Sequence, residues 1–196
     1  QTAQVGNIMN LELSNRLRAG HEFAARHHAN QMYGKYPYIW HCEQVLKILL
    51  SAGVLDPNLL VAGLCHDTVE DTPATHDEAT LELGDQAALL IWAVTDEGTG
   101  PRRHRKHRTR VRIIDTPDAG LLKGADRIAN FTSSLKRFQK LSLSDKLKMY
   151  VKEHPAFMDM LEQSCCSSIE HEVAFADIKL QLIFLHAKAL TLLAFT

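Results

Sequence analysis

The stretch LDPNLLVAGLCHDTVED, residues 55–71, places the strongest constraint on how this chain can fold. Asp56 is a suitable N-cap and Pro57 suits the first helical position, so a helix is predicted to begin here. Residues 59–65 are apolar throughout, which is typical of a helix that is buried on all sides. One histidine and three carboxylates follow at once: His66, Asp67, Glu70 and Asp71. Like charges repel, so carboxylates at the end of a buried helix require a partner.

Helical patterns also run through most of the rest of the chain. Residues 10–33 and 40–53 carry apolar side chains at helical spacing, and Gly53 is expected to end the second of these helices. Thr75 and Glu78 have the spacing of a capping box, which predicts the start of another helix.

The remaining segments extend this pattern. Residues 85–97 are predicted to be a core helix, and the helix over 116–138 is expected to have Thr116 as its cap with Pro117 behind it. The arginine-rich residues 102–112 are predicted to be a loop that leads into a helix. No segment alternates as a half-buried strand would. We therefore predict an all-α, single-domain helical bundle of roughly eight to ten helices over the whole chain of 196 residues.

Composition is that of a soluble globular protein, with 45% hydrophobic and 23% charged residues. No apolar stretch is long enough to span a membrane, and the first residues lack the basic and apolar regions of a secretory signal. None of the four cysteines belongs to a CxxC pair, which predicts reduced thiols. We therefore expect a cytoplasmic protein with no membrane partner.

Three separate segments supply candidate metal ligands. His66 and Asp67 stand at a predicted helix end, and His41 stands at the start of a helix in PYIWH. Asp126 lies within the helix LLKGADRIANF, where an unpaired carboxylate among apolar residues would be costly. Two imidazoles and two carboxylates suit a divalent transition metal such as Mn²⁺, Fe²⁺ or Zn²⁺.

Glu70 and Asp71 follow His66 and Asp67 by one helical turn, so the two pairs share a face. A carboxylate beside a metal can take a proton from water that the metal acidifies. Simpler interpretations stay open at this point. They are a hydrogen bond at a helix end, a salt bridge from Asp126 to Lys123 or Arg127, and a solvated acidic helix end.

The segment RRHRKHRTRVR, residues 102–112, holds six Arg and one Lys. Removing these seven positive charges from the net charge of −1 leaves about −8, so the segment is a basic region on an acidic chain. Such a region attracts anions. It lacks the interleaved aromatic residues that stack on bases, so we favour a small polyphosphate over nucleic acid, with a solvated loop as the other alternative.

Three motifs resemble a known family: PYIWH, LCHDTVEDT and KGADRIANF. They are similar to the signature blocks of the HD-domain alarmone hydrolases of the RelA/SpoT-homologue group. The resemblance covers residues 20–155 and leaves residues 165–196 as an additional C-terminal helix. It implies an all-helical HD domain that binds one Mn²⁺, in preference to Zn²⁺ or Fe²⁺. It also implies hydrolysis of the 3′-pyrophosphate of guanosine alarmones such as ppGpp.

The resemblance assigns roles to individual residues. The implied metal ligands are His41, His66, Asp67 and Asp126, and the pair implied to activate water is Glu70 and Asp71. The implied substrate contacts are Arg26, His27, Asn130, Lys146 and Tyr150, with Arg105, Lys106 and Arg108 as candidates in the basic segment.

Departures from the family pattern bear on the substrate more than on the reaction. His27 stands where the metazoan members carry Lys. Lys146 stands where close relatives carry Arg, so at position 146 the bidentate guanidinium of Arg is replaced by the point charge of Lys. The adenine alarmone ppApp and the 2′-phosphate of NADPH therefore remain alternative substrates. An HD nucleotidase acting on simple monophosphates and a catalytically silent nucleotide-binding module are the rival functions. The C-terminal helix is predicted either to pack internally or to form a homo-oligomer contact.

Overall fold

The computed structural model describes residues 2–96 and 98–194, with side chains over 11–96, 98–101 and 103–194. Its described part contains ten helices and one short hairpin. The helices are α1 (Thr2–His28), α2 (Ile39–Ser51), α3 (Pro57–Cys65), α4 (Thr68–Asp71), α5 (His76–Leu83), α6 (Asp85–Val94), α7 (Arg102–Asp115), α8 (Ala119–Leu141), α9 (Asp145–Gln163) and α10 (Ile169–Ala194). The predicted all-α class is confirmed.

The helix α3 lies at the centre of the fold, as its apolar sequence predicts. Residues 59–65 are all buried, and α3 packs against α1, α2, α6 and α8. Burying one leucine or valine side chain completely stabilises a fold by about 1.5–3 kcal/mol, so this short helix makes a large contribution. Its C-terminal end, and the acidic cluster that follows, are thereby held in one place.

The predicted caps at two helices are confirmed. The Asp56 side chain accepts a hydrogen bond from the Asn58 backbone N–H, 2.8 Å away, with Pro57 as the first helical residue. Thr75 and Glu78 form the reciprocal capping box at the start of α5. Gly53 follows the end of α2 with φ of +91°, a conformation that favours glycine.

Four local predictions are wrong. The segment after α1 forms a two-stranded hairpin, β1 (Met32–Tyr33) and β2 (Tyr36–Pro37), although no strand was expected. The basic segment is helical from Arg102 onward, so the expected loop is replaced by α7. The helix α8 begins only at Ala119, with Asp118 and not Thr116 at the N-cap. Helix α6 ends at Val94, before the predicted end at Glu97, which lies outside the described residues.

Asp118 adopts a left-handed conformation because its side chain connects α8 to the segment before α10. Its backbone φ is +68°. Its carboxylate accepts a 3.0 Å hydrogen bond from the Ser167 backbone N–H and lies 3.0 Å from His171 Nδ1. The Ser167 hydroxyl also donates to it. These bonds fix the N-terminal end of α10 against α8.

The contact between α8 and α10 depends on glycine. A Cβ at Gly124 would lie 2.5 Å from Ile178 Cγ2, which is too close for two carbon atoms. Gly124→Ala is therefore expected to destabilise the protein by about 1–3 kcal/mol, measured by urea unfolding. In an Ile178→Ala background the same substitution should cost less, since the obstructing methyl is gone. An equal cost in both backgrounds would contradict the contact.

No helix within the described residues is long and apolar enough to cross a membrane.

Candidate active site

The four predicted metal ligands come from three different parts of the fold. His41 is the third residue of α2, and Asp126 lies within α8. His66 and Asp67 occupy the break between α3 and α4. The Thr68 hydroxyl donates a 2.7 Å hydrogen bond to the Cys65 carbonyl at this break. Because the chain changes direction here, two adjacent residues can direct their side chains to one point.

The side chains of these four residues converge. His41 Nε2 lies 3.3 Å from Asp126 Oδ1 and 3.5 Å from Asp67 Oδ2. His66 Nε2 lies 3.0 Å from Asp67 Oδ2 and 3.6 Å from Asp126 Oδ1. Ligand atoms of His41, His66 and Asp126 all lie within 4.8 Å of one another, and these three residues are buried. The sequence predicted this group, and the tertiary structure brings it together.

The orientation of His66 fits a bound cation. Its Nδ1 lies 3.0 Å from the Gly63 carbonyl oxygen, so Nδ1 carries a proton and donates it. In the neutral ring, Nε2 then presents a lone pair. This atom is buried without a hydrogen-bond partner and faces two carboxylates. A lone pair against carboxylate oxygens is repulsive, and a cation among them removes the repulsion. His41, His66 and Asp126 can thus hold a divalent metal ion.

Opposite charges within the cluster shift the pKa of each member so that its charged form is favoured. Burial alone would lower the pKa of His66, but the neighbouring Asp67 and Asp126 outweigh burial and raise it to about 10. Burial would raise the pKa of Asp126, but Lys123 and the two imidazoles hold it well below its usual range. Positive charge is therefore stabilised at this centre, whether it is carried by protons or by a metal.

Lys123 forms the salt bridge that the sequence left open for Asp126. Its Nζ lies 3.1 Å from Asp126 Oδ2, while the centre-facing Oδ1 is the atom near the two imidazoles. Arg127, the other candidate, is directed instead to Glu153. The two oxygens of Asp126 therefore have different partners, and the salt bridge does not exclude metal binding.

Glu70 and Asp71 lie beside this centre on α4. The backbone N–H of Asp96 donates a 2.9 Å hydrogen bond to Glu70 Oε2. Surrounding protein raises the pKa of Glu70 by desolvation, although the residue keeps contact with solvent. A carboxylate with a raised pKa is a better proton acceptor.

Tyr38 connects the two acidic pairs. Its hydroxyl lies 2.7 Å from Asp67 Oδ2 and 2.9 Å from Asp71 Oδ2. Burial, with the two carboxylates beside it, raises the pKa of Tyr38, so the phenol stays neutral and donates. A hydroxyl has one proton, so it donates to one carboxylate at a time. Tyr38 was not predicted, although its position one helical turn before His41 was a usable signal.

A hydrogen-bonded path from α7 positions Glu70. The Thr109 hydroxyl donates a 2.6 Å hydrogen bond to Asp96 Oδ1, and the Asp96 backbone N–H holds Glu70. The same hydroxyl lies 3.3 Å from the Thr95 carbonyl oxygen. The basic helix thus fixes the loop that orients the candidate proton acceptor. Sequence reasoning missed this role because the two hydrogen-bond partners are thirteen residues apart.

Thr109→Val preserves shape and removes the hydroxyl. We expect kcat to fall by up to about 100-fold with KM nearly unchanged, because a small displacement of a catalytic group is costly. Steady-state kinetics measure both constants. Thr109→Ser should restore kcat, and Thr80→Val, which removes a hydroxyl from α5, is the matched control. A higher KM at constant kcat would contradict the positioning role.

One predicted substrate contact, Asn130, lies next to the centre, and the charge of Asp126 acts on a second, Tyr150. The Asn130 side-chain amide donates to Asp126 Oδ1, and the Tyr33 hydroxyl donates a 2.9 Å hydrogen bond to Asn130 Oδ1. The Tyr33 ring also stacks on His41 with centroids 4.7 Å apart. Burial, with Asp126 nearby, raises the pKa of Tyr150 to about 12. Tyr33 was not predicted, because it lies on the hairpin that the sequence did not indicate.

Lys106 reaches a charged cluster beside Tyr150. Its Nζ lies 3.2 Å from Glu153 Oε1, and Arg127 Nη1 lies 3.2 Å from Glu153 Oε2. The Arg127 guanidinium also lies 4.8 Å from the centroid of the Tyr150 ring. Two cations share one carboxylate, so this group keeps a net positive charge.

The other predicted substrate contacts are directed elsewhere. Both oxygens of Glu82 bind Arg26, at 2.7 and 2.8 Å, and His27 packs on Phe23. Arg105 and Arg108 donate to the carbonyls of Gly100 and Thr99, which lie just before α7. Lys146 is exposed on α9. The structure does not bring these five residues to the four-residue centre.

Part of the chain is similar to a known protein family. Residues 21–112, which include His41, His66 and Asp67, match the family model of the HD domain. The predicted resemblance to HD-domain proteins is confirmed over these residues.

Two curated proteins are similar to more than half of this chain. The chain is 43% identical over 115 residues to the human guanosine-3′,5′-bis(diphosphate) 3′-pyrophosphohydrolase MESH1, covering 56% of this chain and 64% of the human protein. It is 33% identical over 133 residues to a GTP pyrophosphokinase of Streptomyces coelicolor, covering 64% of this chain and 16% of that protein. The matched part thus spans less than two thirds of the curated relatives' length.

Solved structures support the fold. A metazoan ortholog of SpoT, described as hydrolysing ppGpp, superposes with a TM-score of 0.66 at 24% identity and covers 85% of this chain and 94% of that one. A protein of Listeria monocytogenes superposes with a TM-score of 0.59 at 23% identity, over 74% of this chain and 95% of that one. At these identities the superpositions establish the arrangement of helices.

Proposed function

We propose that this protein is a metal-dependent phosphohydrolase that removes the 3′-diphosphate of ppGpp. The observation that carries the proposal is the convergence of His41, His66, Asp67 and Asp126 with Glu70 and Asp71 directly beside them. Further support comes from the printed activity of the human relative. Mn²⁺ is the proposed ion, and the cytoplasm is the proposed compartment.

The residues that would hold the ion are the two imidazoles and the carboxylates of Asp67 and Asp126. When bound, a divalent ion supplies Lewis-acid chemistry, which neutralises phosphate charge and makes water more acidic. The Gly63 carbonyl keeps the His66 ring in the tautomer that directs Nε2 to the centre.

Glu70 is the proposed proton acceptor. Its Oε2 is held by the Asp96 backbone N–H, which leaves Oε1 free to accept a proton from the attacking water. Asp71, held by the Tyr38 hydroxyl, is proposed to orient water or to assist the leaving 3′-oxygen. Attack at phosphorus then releases pyrophosphate and leaves a 3′-hydroxyl.

The positive groups near Tyr150 suit the phosphate group that is transferred. Lys106 and Arg127 share Glu153, and Lys123 lies on the Asp126 side of the centre. Their net positive charge would offset the charge of the transferred group. Asn130 and Tyr150 are proposed to contact the nucleotide. Arg26, His27, Lys146, Arg105 and Arg108 also stay proposed substrate contacts.

A side-by-side turnover assay tests the proposal. Purified protein with Mn²⁺ is incubated with ppGpp, ppApp, NADPH and simple nucleoside monophosphates, and pyrophosphate and phosphate are measured separately. We expect pyrophosphate from ppGpp. Preference for ppApp would keep the chemistry and change the base, whereas phosphate release from NADPH or monophosphates alone would overturn the proposal. Binding of ppGpp without turnover would identify a silent nucleotide-binding module.

A further inference from the structure

The last helix, α10, contains a regular apolar repeat. Apolar residues follow one another at alternating spacings of four and three, the heptad pattern of a coiled-coil seam. We call these eight positions the α10 seam: Ile169, Val173, Ala176, Leu180, Ile183, Ala187, Leu190 and Ala194.

Every residue of the α10 seam is exposed. Ile169, Val173 and Leu180 retain 66–67% of their accessible surface, and Ile183 and Leu190 retain 52% and 48%. A different face of α10 is buried against α8 and α9. The helix therefore has two apolar faces, and the seam has no covering element among the described residues.

The seam is large enough to form an interface. With Phe184, 67% exposed beside it, its large side chains expose on the order of 600 Å² of apolar surface, near the upper end for the largest patch on a monomer. The alanines and flanking residues bring a helix-on-helix contact towards the roughly 800 Å² per partner of a stable complex. Isolated exposed apolar residues are ordinary, but a continuous stripe of this size marks a binding surface.

The seam is also held rigidly. Asp118 fixes the N-terminal end of α10 through Ser167 and His171, and Ile178 packs directly on Gly124. A partner would therefore meet a surface that needs no ordering, which reduces the entropic cost of binding.

We propose that the α10 seam binds the same seam of a second copy of this chain, as an antiparallel helix pair. A heptad stripe on one helix fits the heptad stripe of another helix. In antiparallel register, Leu180 meets Ile183 of the partner subunit and Ala176 meets the partner's Ala187. Val173 then meets the partner's Leu190. Large residues thus pair with large ones and alanine with alanine, and the surface complements itself about a two-fold axis.

Charge beside the seam favours this orientation. In a parallel pair, Glu172 would face Asp177 of the partner subunit, which is a repulsive contact. In the antiparallel pair, Glu172 faces the partner's Leu193 and Asp177 faces the partner's Phe184, so no two carboxylates meet. The same acids argue against a lipid surface, which attracts helices flanked by Lys and Arg. This proposal does not depend on the hydrolase activity.

Sedimentation of the full chain at 1–100 µM (roughly the range in which weak homodimers form) tests the interface. We expect the wild type to be a dimer and Leu180→Glu/Ile183→Glu to be a monomer, with the dissociation constant of the dimer raised by at least about 100-fold. Leu81→Glu is the matched control, since Leu81 is 87% exposed on α5 and outside the seam. Circular dichroism shows that the variants remain folded. A monomeric wild type at 100 µM, or a dimeric double variant, would overturn the proposal. A monomer that binds detergent or lipid vesicles would instead identify the seam as a lipid-binding surface.

Cysteine cross-linking tests the orientation. All chains carry Cys165→Ser, because Cys165 is exposed. The antiparallel pair predicts that Leu180→Cys/Ile183→Cys forms a covalent dimer on oxidation, whereas each single variant stays near the background of the Cys165→Ser chain. Efficient cross-linking of Leu180→Cys alone would show a parallel pair and overturn the antiparallel register.

Discussion

Replacing Glu70 by Gln is expected to lower kcat for ppGpp by about 10²–10⁴-fold, the range found when a general base is removed. Gln keeps the size of the side chain and can still accept the hydrogen bond from the Asp96 backbone N–H, so the local structure should persist. It cannot accept a proton at neutral pH. Pyrophosphate release is measured at fixed times, and the metal content is determined on the same sample. The two measurements distinguish a loss of turnover from a loss of bound metal.

Glu12→Gln is the matched control, because Glu12 is an exposed carboxylate on α1 far along the chain from the cluster. It should leave both kcat and metal content unchanged. Two results would contradict the role of Glu70. Full activity of Glu70→Gln would place the proton acceptor elsewhere, and loss of metal together with activity would place Glu70 among the metal ligands.

Replacing Asp126 by Asn is expected to remove both metal binding and turnover. The substitution takes one negative charge from a centre that already contains two imidazoles, while Lys123 stays nearby and adds positive charge. For the wild type, Mn²⁺ at 100 times its Kd should add about 2.7 kcal/mol of stability, or about 5–10 °C in Tm for a chain of this length. Thermal unfolding with Mn²⁺ or with chelator should show this shift in the wild type and not in Asp126→Asn.

Asp118→Asn provides the comparison that separates stability from metal binding. Asp118 is also buried and lies at the start of the same helix, but its partners are Ser167 and His171. This variant should have a lower Tm and keep the full Mn²⁺-dependent shift. An Asp126→Asn protein that keeps the shift would mean that the ion is held by other residues.

Much of the fold follows from local sequence. The capping box at Thr75 and the cap at Asp56 involve partners two or three residues away, so the spacing of the residues is sufficient to predict them. The burial of α3 follows from an apolar run that leaves no polar face for solvent. The all-α class rests on many such segments that agree with one another.

The local errors share a physical cause. Thr116 and Pro117 have a suitable pattern for a helix start, but Asp118 takes the N-cap because its carboxylate is bound by Ser167, far along the chain. Residues 32–37 have no strand pattern, yet they form a hairpin from which Tyr33 reaches Asn130 and His41. In both places a contact distant in sequence overrides the local preference.

The sequence by itself determined which residues could form the metal centre and the proton acceptor, because those side chains are chemically unusual at helix ends and in apolar surroundings. Only the tertiary structure decided that α2, the break after α3, and α8 bring each imidazole within 3.6 Å of both carboxylates, and that Asp96 and Thr109 orient Glu70. The same division holds for α10. Its heptad repeat can be read from the sequence, but a helix with two apolar faces can bury either one. Packing on Gly124 and bonding to Asp118 selects the buried face and leaves the α10 seam exposed.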